Sequence, residues 1–252
     1  MKKGLLVLLC LPMIGFGQYL HQLDSTIRYS VDTNNILQKN NKAEYTFHAS
    51  GSIFKLYQYS WDISTAAWLG DFKYEYTYDA NNNQTLQTNY NWDISTAAWL
   101  ENSKKEWAYD INNNIILMTF YNWDISIGWE ESVRYEMNYD INNNMTLNIR
   151  FQYNIEQYKE ERTYDINSNE TSYIKYNWDI STAAWLEHMK EEKTYDINNN
   201  EILTLDYLWD ASSTNWMPTN KLEYTYNPNN SLTLLIYSNW QNNSASWLPN
   251  YN

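Results

Sequence analysis

The chain has 252 residues with 30 acidic against 17 basic side chains, a formal net charge of -13, and a field of that sign makes nucleic acid and anionic membrane surfaces poor partners. Aromatic residues make up 17% of it, while only 6 glycines and 4 prolines are present, so asparagine has to supply most of the turns. The single cysteine, Cys10, excludes an intrachain disulfide framework and a cysteine-rich metal site.

Residues 1–18, MKKGLLVLLCLPMIGFGQ, place two lysines before an apolar run that closes on small residues. This is the layout of a secretory signal peptide, residues 1–17, with cleavage expected after Gly17. The run is too short for a membrane span, and no later stretch is apolar enough for a transmembrane helix. Leu9 precedes Cys10 where a lipoprotein signal needs a small residue, so lipid attachment is not expected. Residues 18–252 are expected to be exported as one β-hairpin repeat domain, secreted or held at the cell surface, or periplasmic if no further export follows.

From there the sequence repeats. YDANNN at Tyr78 recurs as YDINNN at Tyr109, Tyr139 and Tyr195, as YDINSN at Tyr164 and as YNPNNS at Tyr226, with a degenerate FHASGS at Phe47. The turn residues are His48, Asp79, Asp110, Asp140, Asp165, Asp196 and Asn227, which define seven units. A period of about 30 residues decides the architecture before any local reading does. Residues 27–37, IRYSVDTNNIL, read as the second half of a unit preceding the first. Asn-rich tetrads take the positive φ angles of a tight turn, and the runs that flank them alternate with period two, so each unit reads as a β-hairpin. The predicted fold class is all-β: an antiparallel meander of about fifteen strands built from hairpin repeats, one curled or spiral sheet with an aromatic inner face.

Counting by twos from Asp79 puts Tyr78, Tyr76, Tyr74 and Trp68 on one face before the turn, and Leu86, Thr88, Tyr90 and Trp92 on it afterwards. The opposite face is polar and holds the most regular signal in the chain. Four positions before each turn stands Glu44, Glu75, Glu106, Glu136, Glu161, Glu192 or Glu223, and six before it Lys42, Lys73, Lys104, Arg134, Lys159, Lys190 or Lys221. Side chains two apart on a strand share a face, so each base and glutamate form a local ion pair. The expectation is a wet strip of alternating charge whose pairs add at most ~1 kcal/mol each.

The phrase WDISTAAWL occurs three times unchanged, from Trp61, Trp92 and Trp178. Its two tryptophans end one hairpin and begin the next. The same pairing gives Trp61 with Trp68, Trp92 with Trp99, Trp123 with Trp129, Trp178 with Trp185, Trp209 with Trp216 and Trp240 with Trp247. The fourth unit has Tyr153 in place of the first tryptophan and loses the loop and the second tryptophan together. That joint loss marks the pair as a staple for this loop, aromatic pairs adding ~0.5–1.5 kcal/mol beyond buried area. The competing reading makes these twelve tryptophans platforms for sugar rings.

The YDxNNN core at a hairpin turn resembles the YD repeats of the RHS family, whose strands coil into a large hollow β-shell. The fuller pattern, YDxNNNxTLxxxYxWDxSTxxW with KxEYTYD behind it, is similar to tandem repeats in secreted proteins of gliding Gram-negative bacteria, over about residues 27 to 248. The resemblance implies a β-hairpin repeat architecture and export, and no particular activity.

Catalysis needs a few unique groups gathered in one place, whereas nearly every polar residue here recurs along the array. His21, His48 and His188 are scattered, and no metal-ligand spacing, nucleophile motif or phosphate loop occurs. The D-x-N-x-N strings from Asp79, Asp110, Asp140, Asp165 and Asp196 have the oxygen-rich character of calcium loops but lack their glycine and later glutamate. An outer-membrane barrel would need Lys105, Glu131, Glu187, Glu191 and Lys193 in lipid. The expected function is therefore non-enzymatic and free of cofactors: a surface or matrix component that binds or adheres, with neutral or cationic glycans or cell-surface components as partners. The alternatives are a structural spacer without a ligand, a calcium-stabilised repeat and an outer-membrane barrel.

Overall fold

The computed structural model describes residues 5–7, 23–31, 33 and 36–249. The expected signal peptide lies outside them except for Leu5–Val7. No helix occurs among the described residues. The strands are β1 (Leu5–Val7), β2 (Ser25–Val31), β3 (Leu37–Phe47), β4 (Ile53–Asp62), β5 (Ala67–Tyr78), β6 (Gln84–Asp93), β7 (Ala98–Tyr109), β8 (Ile115–Asp124), β9 (Gly128–Tyr139), β10 (Met145–Gln152), β11 (Ile155–Tyr164), β12 (Glu170–Asp179), β13 (Ala184–Tyr195), β14 (Glu201–Asp210), β15 (Asn215–Tyr226), β16 (Leu232–Gln241) and β17 (Ser246–Pro249). They belong to one sheet, and β2 to β17 form the antiparallel meander that the repeats call for. Neighbours in sequence pair antiparallel from β1 through β7 and again from β9 through β17. The chain divides into two compact units, residues 1–108 with 118–132, and residues 109–117 with 133–252.

Packing in both units is of an unusual kind. Among the described apolar side chains only Met137 is buried, and the most buried polar ones are small hydroxyls, Thr119 at 3% exposure and Ser238 at 1%. Without a buried apolar layer, stability has to come from side-chain contacts between neighbouring strands.

The turns follow from the sequence. Asp79 Oδ1 accepts the amide hydrogens of Asn81 at 2.9 Å and Asn83 at 2.8 Å, and Oδ2 accepts Asn83 Nδ2 at 3.0 Å. Asn82 bonds back to the Asp79 carbonyl and takes φ +67°, a left-handed conformation that asparagine tolerates better than most residues. Asn113, Asn143, Asn199 and Asn230 repeat it, Ser168 replaces it in the fifth unit, and Gly51 serves the first. Both oxygens of each D-x-N-x-N aspartate are thus used by donors of its own turn. These hydrogen bonds hold Asp79, Asp110, Asp140, Asp165 and Asp196 below the usual carboxylate range.

Two devices join one turn to the next. The terminal asparagine donates across the gap: Asn114 Nδ2 to Asn143 Oδ1 at 2.8 Å, Asn169 Nδ2 to Asn199 Oδ1 at 2.9 Å and Asn200 Nδ2 to Asn230 Oδ1 at 3.1 Å. In the YD motifs that close β5, β9, β11 and β13 the tyrosine reaches back with its hydroxyl to a main-chain carbonyl of the preceding strand. Tyr78 bonds Ile53 O at 3.0 Å, Tyr164 bonds Met145 O at 2.8 Å and Tyr195 bonds Glu170 O at 2.9 Å.

The assignment of faces by period-two counting is corrected by the register. Pairing slips by one residue near the turn, where Thr77 faces Leu86 but Tyr78 faces Gln84, and again near the loop, where Gln58 faces Phe72 but Tyr59 faces Gly70. Each slip is a β-bulge, and an extra residue sends everything beyond it to the other face. Lys73 therefore lies opposite Tyr90 and Glu75 opposite Thr88. The basic and acidic pair shares its face with Trp61, Trp68, Leu86, Thr88, Tyr90 and Trp92, whereas Tyr74 and Tyr76 lie on the other face opposite Asn89 and Gln87. Aromatic rings occupy both faces.

At the loop ends the phrase WDISTAAWL resolves into parts. Asp62 Oδ1 accepts the Ser64 amide at 2.9 Å and Oδ2 accepts Thr65 Oγ1 at 2.6 Å, and Asp93 and Asp179 repeat the arrangement. Ala66, Ala97 and Ala183 then take φ between +50° and +52°, which costs a residue with a Cβ roughly 1–2 kcal/mol. The third unit has Gly128 there, at φ +85°. Ala183→Gly should accordingly raise unfolding free energy in urea by about 0.5–1 kcal/mol, and Gly128→Ala should lower it by a similar amount. A loss of stability in Ala183→Gly would contradict this account of the loop.

Candidate binding surface

All six predicted tryptophan pairs form. Trp61 and Trp68, Trp92 and Trp99, Trp123 and Trp129, Trp178 and Trp185, Trp209 and Trp216, and Trp240 and Trp247 stand edge to face with ring centroids 5.0–5.2 Å apart and planes at 66–74°. In five of the six pairs the two residues are read directly opposite each other in the ladder. The rings are partly exposed, and Trp123, beside the short Gly128 loop, is the most open at 39%. The hairpin between β10 and β11 turns on Tyr153 and Asn154, both at positive φ, the two-residue turn that right-twisted strands favour. It carries no tryptophan pair. Three consecutive pairs consequently lie in the first compact unit and three in the second.

Beside each row lies the charged column, and its geometry differs from the wet strip expected. Lys73 places its ammonium 3.5 Å from the Tyr90 ring centroid, Lys42 is 4.5 Å from Tyr59, Lys104 4.3 Å from Tyr121, Lys159 4.0 Å from Tyr176 and Lys190 4.4 Å from Tyr207. In the fourth unit Arg134 lies 3.8 Å from Phe151. Each base also pairs with its glutamate, as in Lys42–Glu44 at 2.7 Å and Lys190–Glu192 at 2.8 Å. The bases are 13–22% exposed and the glutamates 28–44%. The cation is thus covered by a ring while the carboxylate faces water, and a partly desolvated cation–π contact adds ~0.5–2 kcal/mol.

The tyrosine closes the arrangement. Its hydroxyl donates to the same glutamate: Tyr59 to Glu44 at 3.1 Å, Tyr90 to Glu75 at 3.0 Å, Tyr176 to Glu161 at 3.0 Å and Tyr207 to Glu192 at 3.0 Å. Burial first, and then the neighbouring carboxylate, push the Tyr59, Tyr176 and Tyr207 phenols up to about 12. Sequence reasoning missed this three-membered contact because counting by twos puts the tyrosine and the charged pair on opposite faces. Its signal was available: eleven residues after six of the seven turns stands Tyr59, Tyr90, Tyr121, Phe151, Tyr176 or Tyr207.

Several rings are occupied by packing. Lys39 sits 4.0 Å above Trp61, Trp99 meets Tyr57 at 6.0 Å and Tyr59 at 6.4 Å, and Trp92 leans on Gly70, where an added Cβ would come within 2.7 Å of its ring. On the opposite face of the second unit a group of charges breaks the repeat. Glu160 accepts from Asn148, Arg162 and Tyr173, and Lys193 bridges Glu170 and Glu191. Two bases thus serve three carboxylates, with Glu170 shared between Arg162 and Lys193. Among the described residues no group of three or more His, Cys, Asp or Glu side chains could hold a metal ion.

No family model matches the chain, and no curated protein matches it. Solved structures give distant likenesses. A DUF3836 family protein from Bacteroides vulgatus is 21% identical over 36% of this chain and 87% of its own, with a TM-score of 0.30. A protein of unknown function from Bacteroides fragilis is 14% identical over 61% of this chain and 91% of its own, with a TM-score of 0.28. TcdB2-TccC3 is 11% identical over 86% of this chain and 17% of its own, with a TM-score of 0.25. Likeness at this level carries no functional argument.

The phenol shifts have a sign that can be checked. A folded-state value above the unfolded value of 10.0 means that the folded protein holds the proton more tightly, so its contribution is complete below pH 10 and disappears as pH rises towards 12. Urea unfolding between pH 9 and 12.5 should show stability falling through that window, with the Tyr59→Phe variant falling less. Constant stability to pH 12 would contradict the partly buried Tyr–Glu contact.

Proposed function

We propose that this is an exported, non-enzymatic repeat protein of the cell surface or extracellular matrix, whose tryptophan rows bind glycans. The observation that carries the reading is the arrangement of partly exposed tryptophan pairs in two rows of three, each beside solvent-facing carboxylates. Aromatic faces stack on the apolar faces of sugar rings, and carboxylates accept hydrogen bonds from hydroxyls. The signal-like layout of residues 1–17 supports export, and several weak platforms on one chain favour adhesion, because affinity multiplies with the number engaged. The acidic balance, 30 carboxylates to 17 bases, disfavours sulfated and uronic polymers.

A structural spacer is the second reading, favoured by the packing contacts that Trp61, Trp92 and Trp99 make with Lys39, Gly70, Tyr57 and Tyr59. Iodide quenching of tryptophan fluorescence separates the two. The glycan reading expects partial quenching, with Trp123 contributing most, and protection when a neutral polysaccharide is added. Full inaccessibility to iodide, together with no binding across a glycan array, would leave the pairs as staples alone.

A further inference from the structure

We infer that each tryptophan row takes one extended, uncharged β-1,4-linked glycan lying across the strands, with about two sugar residues per tryptophan pair. This rests on the glycan reading and specifies its ligand. Successive pairs are separated by two strands, and strands lie ~4.7–4.9 Å apart, so the platforms recur every ~10 Å. In an extended β-1,4-linked chain alternate sugars are turned over, and the same face returns after every second residue. That two-residue repeat has a length close to the spacing of the pairs. Glycans linked β-1,3 or α-1,4 coil and bring their faces round at other intervals.

The length of the site follows from the break in the repeat. The pairs at Trp92/Trp99 and Trp209/Trp216 are the middle members of their rows, and the β10–β11 hairpin interrupts the platforms after the third pair. Neighbouring strands are rotated by roughly 20–25°, so a row turns by about 45° per pair, and the bound chain has to twist by the same angle over every two sugars. A row of three therefore suits a ligand of six sugars, and the chain offers two such rows. Charge selects the ligand further. Glu44, Glu75 and Glu106 stand in the charged column of the first unit and Glu161, Glu192 and Glu223 in that of the second, all more exposed than the bases they pair with. A carboxylated or sulfated version of the same polymer meets this strip with like charge.

Titration calorimetry of the full chain with cello- and chito-oligosaccharides of two, four and six residues tests the inference. Affinity is expected to rise at least 100-fold from the disaccharide to the hexasaccharide, with a stoichiometry of two hexasaccharides per chain. A β-1,3-linked hexaglucoside should bind at least tenfold more weakly, and a carboxymethylated β-1,4 chain more weakly still. Equal affinity for the β-1,3 chain, or affinity independent of length, would overturn the inference and leave individual pairs as platforms. No binding to any of these sugars would overturn it together with the glycan reading.

Discussion

A base held under an aromatic ring and tied to a glutamate that the same ring's hydroxyl also binds is the contact on which this sheet depends. Only one described apolar residue is buried, so the usual source of stability, apolar area removed from water, is spread thinly over ring faces and aliphatic stems. The lysine stem lies against the sheet while its ammonium is shared between ring and carboxylate. Where the tyrosine becomes Phe151, the base becomes Arg134 and keeps the stacked geometry at 3.8 Å. In the seventh unit Ser238 faces Lys221, and the ammonium lies 5.6 Å from Trp247.

Each joint between strands has its own version of this economy. Across a YD turn it is the Lys–Tyr–Glu contact, across a WDIS loop the tryptophan pair, and between successive turns the tyrosine hydroxyl and the asparagine amides. A unit held in these ways leans on its neighbours, and the array behaves as a chain of similar links rather than as a core with a surface. The same layout leaves the tryptophan rings partly exposed, because among the described residues no buried apolar layer closes over them. Structure and the proposed glycan binding therefore draw on the same side chains.

Much of this was legible in the sequence. The turn series at His48 to Asn227, the hairpin reading and the six tryptophan partners follow from periodicity alone, and the loss of a pair at Tyr153 is visible as a missing loop. The faces were not legible. A bulge adds one residue, and neither Thr85 nor Asp71 looks different from a residue in a regular strand, so counting by twos went wrong on both sides of the turn. The tyrosine of the YD motif reads from sequence only as a member of the aromatic face, since its hydroxyl partner is a main-chain carbonyl that any residue could supply. The aromatic column eleven residues after the turns was visible all along, and only the mistaken face kept it from being joined to the bases.

The most direct test of the account is a double-mutant cycle on Lys190 and Tyr207, measured by urea unfolding. Both belong to the second unit, with the Lys190 ammonium 4.4 Å from the Tyr207 ring and 5.6 Å from that of Trp216. Lys190→Met and Tyr207→Leu should each destabilise, and their double mutant should cost less than the sum by ~0.5–2 kcal/mol. Strict additivity would show that ring and cation contribute independently, and would contradict the claim that their contact holds the strands together.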